Sequence, residues 1–246
     1  MSHKTSKPRK SVEPKIDSSF SLKQIQPITE CQKDVIESFE EGQNLVLMGT
    51  AGTGKTFLSL YLALNQIIKG KGERPSKIMI IRSIVSSRDV GFLPGTIKEK
   101  MAVYEEPYRG IFSELFGRGD AYEVLKNKGI VEFCSTSYLR GTTLNNTFVI
   151  LDEFQNCNYE EIRTILTRLG KNTRIFLCGD TRQNDLYRSK YDVSGMEEIV
   201  SVLETMKEFD IIDFGVEDIV RSDIVKSFII AEEEYLKNTL AMNVDI

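Results

Sequence analysis

An α/β domain with a mainly parallel sheet and helices on both faces is predicted by three features of this sequence. Short apolar runs alternate along the chain with helix-compatible stretches. The runs are continuous rather than alternating in polarity, as strands buried on both faces must be. The first run ends in a glycine-rich loop that opens into a helical pattern. In order, the runs are Asn44–Met48, Lys77–Arg82, Ile130–Cys134, Thr147–Leu151, Arg174–Cys178 and Asp210–Phe214. Leucines and isoleucines recur at helical spacing over Phe57–Lys69, and Tyr159–Leu169 and Met196–Phe209 are helix-compatible. A sheet of this kind holds its ligand at the carboxyl ends of its strands.

A chain of 246 residues buries one such core and is too short for two lobes with an accessory domain. Residues 1–20, rich in Ser, Lys and Pro, read as a mobile basic tail, 21–236 as the folded domain and 237–246 as a C-terminal extension. Between strands, Ser83 to Gly119 forms a long insert with Phe92, Tyr104, Tyr108, Phe112 and Phe116; connections of that length carry their own structure or a function. The net charge of −4 argues against a surface uniformly adhesive to nucleic acid, leaving local basic patches such as Arg163 to Lys190. Four dispersed cysteines and a single histidine, His3, give neither a zinc site nor a disulfide framework, and free thiols fit a reducing cytoplasm. No apolar run approaches membrane-span length and the N-terminus lacks a signal-peptide core, so a soluble, cytoplasmic protein is expected.

The chemistry starts at GTAGTGKT, which is Gly49, Thr50, Ala51, Gly52, Thr53, Gly54, Lys55 and Thr56. It matches the Walker A pattern in full, between a predicted strand and a predicted helix. Glycines let the loop curl so that backbone N–H groups face phosphate oxygens, and the helix start adds its positive dipole end. Lys55 is expected to reach the β and γ phosphates, and Thr56 to give magnesium a hydroxyl ligand. Hydrolysis needs a second element, and FVILDE supplies it: a buried strand delivers Asp152 and Glu153 to the sheet edge where the loop opens. Asp152 would hold magnesium through water, while Glu153 would orient or deprotonate the attacking water. From the next strand, Gln183 in GDTRQ offers an amide to the γ-phosphate or that water.

These segments together resemble the PhoH-like family of P-loop ATPases, related in its core to superfamily-one helicases. The resemblance runs from about Gln32 to Tyr235 and includes GFLPG with Glu99–Lys100, LRGTTLNN, DEFQN, LTRLG, GDTRQNDL and IVRSDIV. The chain departs from the family pattern at Thr142, where an arginine is usual, at Phe154, where alanine is usual, and at Ser222–Asp223, where a histidine-proline pair is usual. It also looks similar to short, divergent versions carried by bacteriophages.

What the resemblance implies is a single RecA-like P-loop domain that binds Mg-ATP and hydrolyses it. Gln32 looks like the glutamine that reads adenine in helicase-like ATPases, and Arg221 like a family arginine suited to an arginine finger. Such motors place ATP between two lobes, so a single lobe implies a homo-oligomer, such as a hexameric ring. The leading expectation is an ATPase acting on RNA or single-stranded DNA as a translocase or helicase, with Arg82, Arg88, Lys98, Lys100, Arg109, the insert aromatics and Arg163 to Lys190 contacting it. The alternative is an ATP-dependent oligomeric switch or assembly module with a protein partner.

Overall fold

The computed structural model describes residues 20–69, 72–83, 97–139, 141, 143–180 and 194–244. Gln183, Arg88, the GFLPG segment and residues 1–19 of the predicted tail lie outside the described residues. Six strands form one sheet: β1 (Asn44–Gly49), β2 (Lys77–Arg82), β3 (Val131–Ser135), β4 (Thr147–Asp152), β5 (Arg174–Cys178) and β6 (Phe209–Phe214). Their order is β3-β2-β4-β5-β1-β6. Every pair of neighbours is parallel.

The continuous apolar runs are explained by how the sheet divides its side chains. Alternate residues point to opposite faces. Leu45, Leu47, Ile78, Ile80, Phe148, Ile150 and Phe176 enter one core, while Val46, Met79, Ile81, Val149, Leu151, Ile175 and Leu177 enter the other. The first core is covered by α1 (Glu30–Glu41), α2 (Lys55–Lys69), α3 (Ile97–Phe116) and α4 (Ala121–Asn127). The second lies under α5 (Tyr159–Leu166) and α6 (Met196–Leu203). A last helix, α7 (Asp223–Val244), follows β6. Among the described residues, no helix is long and apolar enough to cross a membrane.

Two predicted helices end early. α5 stops at Leu166 because the chain must turn back to the β4 edge, where Leu169 bridges to Leu144 and the Gly170 N–H donates to the Leu144 carbonyl at 2.7 Å. α6 stops at Leu203, since Phe209 already belongs to β6. The described part of the insert, from Ile97, folds as α3, with α4 following it, and three of its aromatics turn inward: Tyr108, Phe112 and Phe116 are buried in the first core. They are therefore not the exposed stacking platforms expected for bound bases. Arg109 is likewise occupied, by Glu105, Glu106 and Glu123.

α6 docks on α5 through Gly195, where an added Cβ would lie 2.2 Å from the Tyr159 nitrogen and 2.3 Å from its Cα. Backbone cannot yield there as a side-chain tip can. Gly195→Ala should therefore destabilise the fold by about 1–3 kcal/mol. Gly110, inside α3 with open space around it, should by contrast gain roughly 0.5–1 kcal/mol as alanine. Urea denaturation midpoints of the two variants check both signs.

Candidate active site

The carboxyl ends of β1, β2, β4 and β5 open into a cleft of about 780 Å³ lined by residues of the glycine loop, Gln32, Arg82, Tyr108, Asp152, Glu153, Asp180 and Arg221. Register puts the strand-end residues side by side. Arg82 pairs with Asp152, and Asp152 with Cys178.

The loop after β1 curls as its glycines require. Gly49, Gly52 and Gly54 have φ of 111°, 80° and 87°, conformations an L side chain adopts only with strain. Gly49 is doubly constrained, because a Cβ would stand 2.1 Å from the Phe214 carbonyl of β6. Within the curl Lys55 is almost fully buried, and its Nζ donates to the carbonyls of Gly49 at 2.9 Å and Thr50 at 2.8 Å. Burial holds the Lys55 ammonium below its ordinary pKa, opposed chiefly by Asp180.

Thr56, in the first turn of α2, donates its hydroxyl to Asp152 Oδ1 at 2.6 Å. The other oxygen of Asp152 accepts from the Tyr108 hydroxyl of α3 at 2.7 Å. Glu153 leaves the strand in the left-handed region, φ 54°; non-glycine residues held there cluster at functional sites. Burial, with Asp152 adjacent, raises the Glu153 pKa above the ordinary glutamate value, while a hydrogen bond from Gln155 and the charge of Arg82 oppose the rise. Gln155 is a two-sided brace: its Nε2 donates to Glu153 and its Oε1 accepts from the Asp180 backbone N–H at 3.0 Å. Beside it Phe154 is fully buried, and its ring fits because position 179 is glycine; a Cβ there would stand 2.5 Å from it.

Gln32 spans the loop preceding α1 and the glycine loop, accepting from the Ile28 N–H at 2.9 Å and donating to the Thr53 carbonyl at 3.1 Å. Its amide keeps one proton and one lone pair beyond these bonds. Arg221 lies across the glycine loop of its own chain: the Val220 N–H donates to the Gly52 carbonyl at 3.1 Å. A Cβ on Gly52 would stand 2.8 Å from Arg221 Cγ.

Thus the structure brings Gln32, Gly49 to Thr56, Asp152, Glu153 and Arg221 to one cleft. Sequence reasoning missed Tyr108, Gln155 and Asp180 as members. Asp180 stands two residues past the strand end assigned at Cys178, and Gln155 four past the one assigned at Leu151. Tyr108 was counted only among the insert aromatics. Arg82, expected as a nucleic-acid contact, instead faces inward: burial works against its charge, and Tyr108, Asp152 and Glu153 outweigh it to leave its pKa raised. Gln155→Ala would orphan the buried Asp180 N–H and should cost about 1–3 kcal/mol, read as a lower urea midpoint.

The sequence profile of the family described as PhoH-like protein matches residues 24–233. A PhoH-like protein of Mycobacterium leprae is 32% identical over 224 residues, covering 90% of this chain and 62% of that one. One from Bacillus subtilis is 31% identical over 223 residues, 90% of this chain and 68% of its own. Protein PhoH of Escherichia coli K12 is 35% identical over 195 residues, 78% of this chain and 54% of its own. The chain thus spans a little over half to two thirds of the length of these relatives. Among solved structures, the Pif1 helicase from Candida albicans aligns with 77% of this chain and 40% of that one at 14% identity and a TM-score of 0.36, too loose a likeness to carry any argument. With a P-loop cleft on a parallel sheet and a profile match across most of its length, this chain belongs to the PhoH-like protein family.

Proposed function

We propose that this protein binds ATP with magnesium and hydrolyses it, with turnover coupled to RNA or single-stranded DNA. The carrying observation is the Thr56–Asp152 hydrogen bond of 2.6 Å, which joins the glycine loop to the acidic strand end at one sheet edge. Thr56 and Asp152 offer hard oxygen donors, a set that suits magnesium, whose remaining positions phosphate oxygens and water fill. Bound there, the ion would neutralise charge on the phosphates.

In this reading, the chain's own residues divide the work. Lys55 exchanges its two loop carbonyls for phosphate oxygens. Glu153, buried beside Asp152, has a raised proton affinity that suits a base taking a proton from water. Gln32 offers its spare proton and lone pair to the adenine edge. Arg221 supplies positive charge from the same chain, and Gln183 remains the proposed contact to the γ-phosphate or attacking water. A cytoplasmic setting fits the four free cysteines.

The coupling to RNA or single-stranded DNA is supported by the superfamily-one resemblance and by Arg163 and Lys171, exposed in the described part of the Arg163 to Lys190 stretch. The second reading, an ATP-dependent homo-oligomeric switch, is favoured by α7. Its Ile224, Phe228 and Tyr235 are 78%, 63% and 69% exposed, apolar surface that a second copy in a ring, such as a hexamer, would cover. Single-stranded RNA or DNA should raise the ATPase rate, and added salt should abolish the rise. A rate indifferent to nucleic acid, together with ATP-dependent changes in subunit number, would select the switch.

For the site itself, Lys55→Ala should lose nucleotide affinity. Glu153→Gln should keep ATP and hydrolyse it roughly 10²- to 10⁴-fold more slowly. Loss of binding in both variants would contradict this division of roles. The activity should fall as pH drops through the raised Glu153 pKa, because only the ionised carboxylate accepts a proton; a pH–rate profile should place this limb above the ordinary glutamate value.

A further inference from the structure

We propose that Tyr108 is a positioning residue for Asp152 and that through it helix α3 is tied to the magnesium position; this rests on the ATPase reading above. Asp152 is 6% exposed, so a carboxylate torsion that slipped would find little water to replace lost partners. Its two oxygens are held by two hydroxyls from different elements, Thr56 of α2 on Oδ1 and Tyr108 of α3 on Oδ2. One donor leaves the broad terminal torsion of an aspartate loose. Two donors on separate oxygens fix the plane of the group, and with it the lone pairs left for water on the ion.

Tyr108 is itself immobilised. It is 1% exposed, and its ring centre lies 5.7 Å from that of Phe133 on β3. One turn earlier on the same helix face, Tyr104 stacks under the Arg82 guanidinium, 5.8 Å from ring centre to carbon. Arg82 and Asp152 are register partners across β2 and β4. Two tyrosines at i and i+4 on α3 thus grip two neighbouring strand ends. If a bound ion drew the carboxylate aside, the Tyr108 hydroxyl proton would have to follow or lose its acceptor, since the remaining bond of that hydroxyl is to a pure donor, Arg82.

Tyr108→Phe keeps the ring and removes only the hydroxyl. The probe is a fluorescent ADP analogue titrated in EDTA and then with rising magnesium, alongside electron paramagnetic resonance of manganese added to the ADP complex. Affinity in EDTA should stay within about twofold. The metal concentration for half-saturation should rise roughly tenfold, the scale of a hydrogen bond to a charged group. An unchanged metal dependence, or equal losses with and without metal, overturns the proposal and leaves Tyr108 a packing residue. Should the variant not fold, hydrogen exchange on the unmodified protein decides: adding magnesium to the nucleotide complex should change exchange in α3 around Tyr108, and no change there refutes the tie. If the unmodified protein takes up no nucleotide, the ATPase reading falls first; if it does and Tyr108→Phe behaves identically, the positioning role alone falls.

Discussion

Parallel register is the constraint from which the site follows. Six strands running the same way deliver their carboxyl ends to one edge, and hydrogen-bonded pairing fixes who stands beside whom. Arg82, Asp152 and Cys178 are held in a row by β2, β4 and β5. β1 lies next to β5 and ends at Gly49, so the loop it launches has nowhere to curl except over that row. The bond from Thr56 to Asp152 then closes a ring of contacts between residues 96 positions apart in the chain.

Such an arrangement concentrates charge where water is scarce. Asp152, Glu153 and Asp180 share the cleft with Lys55 and Arg82, while Arg221 lines it from an exposed position. Buried charges cost several kcal/mol each unless they are paired and hydrogen-bonded, and here the partners are specific. Lys55 takes loop carbonyls, Asp152 two hydroxyls, and Glu153 the Gln155 amide. Lys55 and Glu153 are both moved toward their neutral forms by burial. The same low dielectric strengthens any interaction with a phosphate or a reacting water, which is the gain that offsets the cost.

The insert after β2 contributes in a way that its composition disguises. A segment rich in aromatics and basic residues suggests a surface for bases and phosphates. Instead, α3 and α4 bury Tyr108, Phe112, Phe116 and Tyr122 in the core, and Arg109 and Lys126 are spent on Glu105 and Glu123. Glu105 is nearly buried, so those cations satisfy a carboxylate inside the domain rather than a ligand outside it. The insert thereby becomes a wall of the cleft.

What the sequence determined by itself is what local pattern controls. The four inner strands were legible because both their faces are covered and their apolar runs stayed unbroken, whereas the edge strands β3 and β6 carry Glu132 and Asp213 exposed within theirs; Gly49, Gly52 and Gly54 were legible because the loop needs positive φ; Asp152 and Glu153 were legible because they stand at a strand end. Tertiary structure alone decided the rest. Pattern along the chain carries no record of partners 25 or 44 residues apart, so neither the Gln155 brace to Asp180 nor the Tyr108 contact to Asp152 was written there. The inward turn of Arg82 has the same origin: a strand-end arginine looks alike whether it faces solvent or carboxylates, and only strand order supplies the carboxylates.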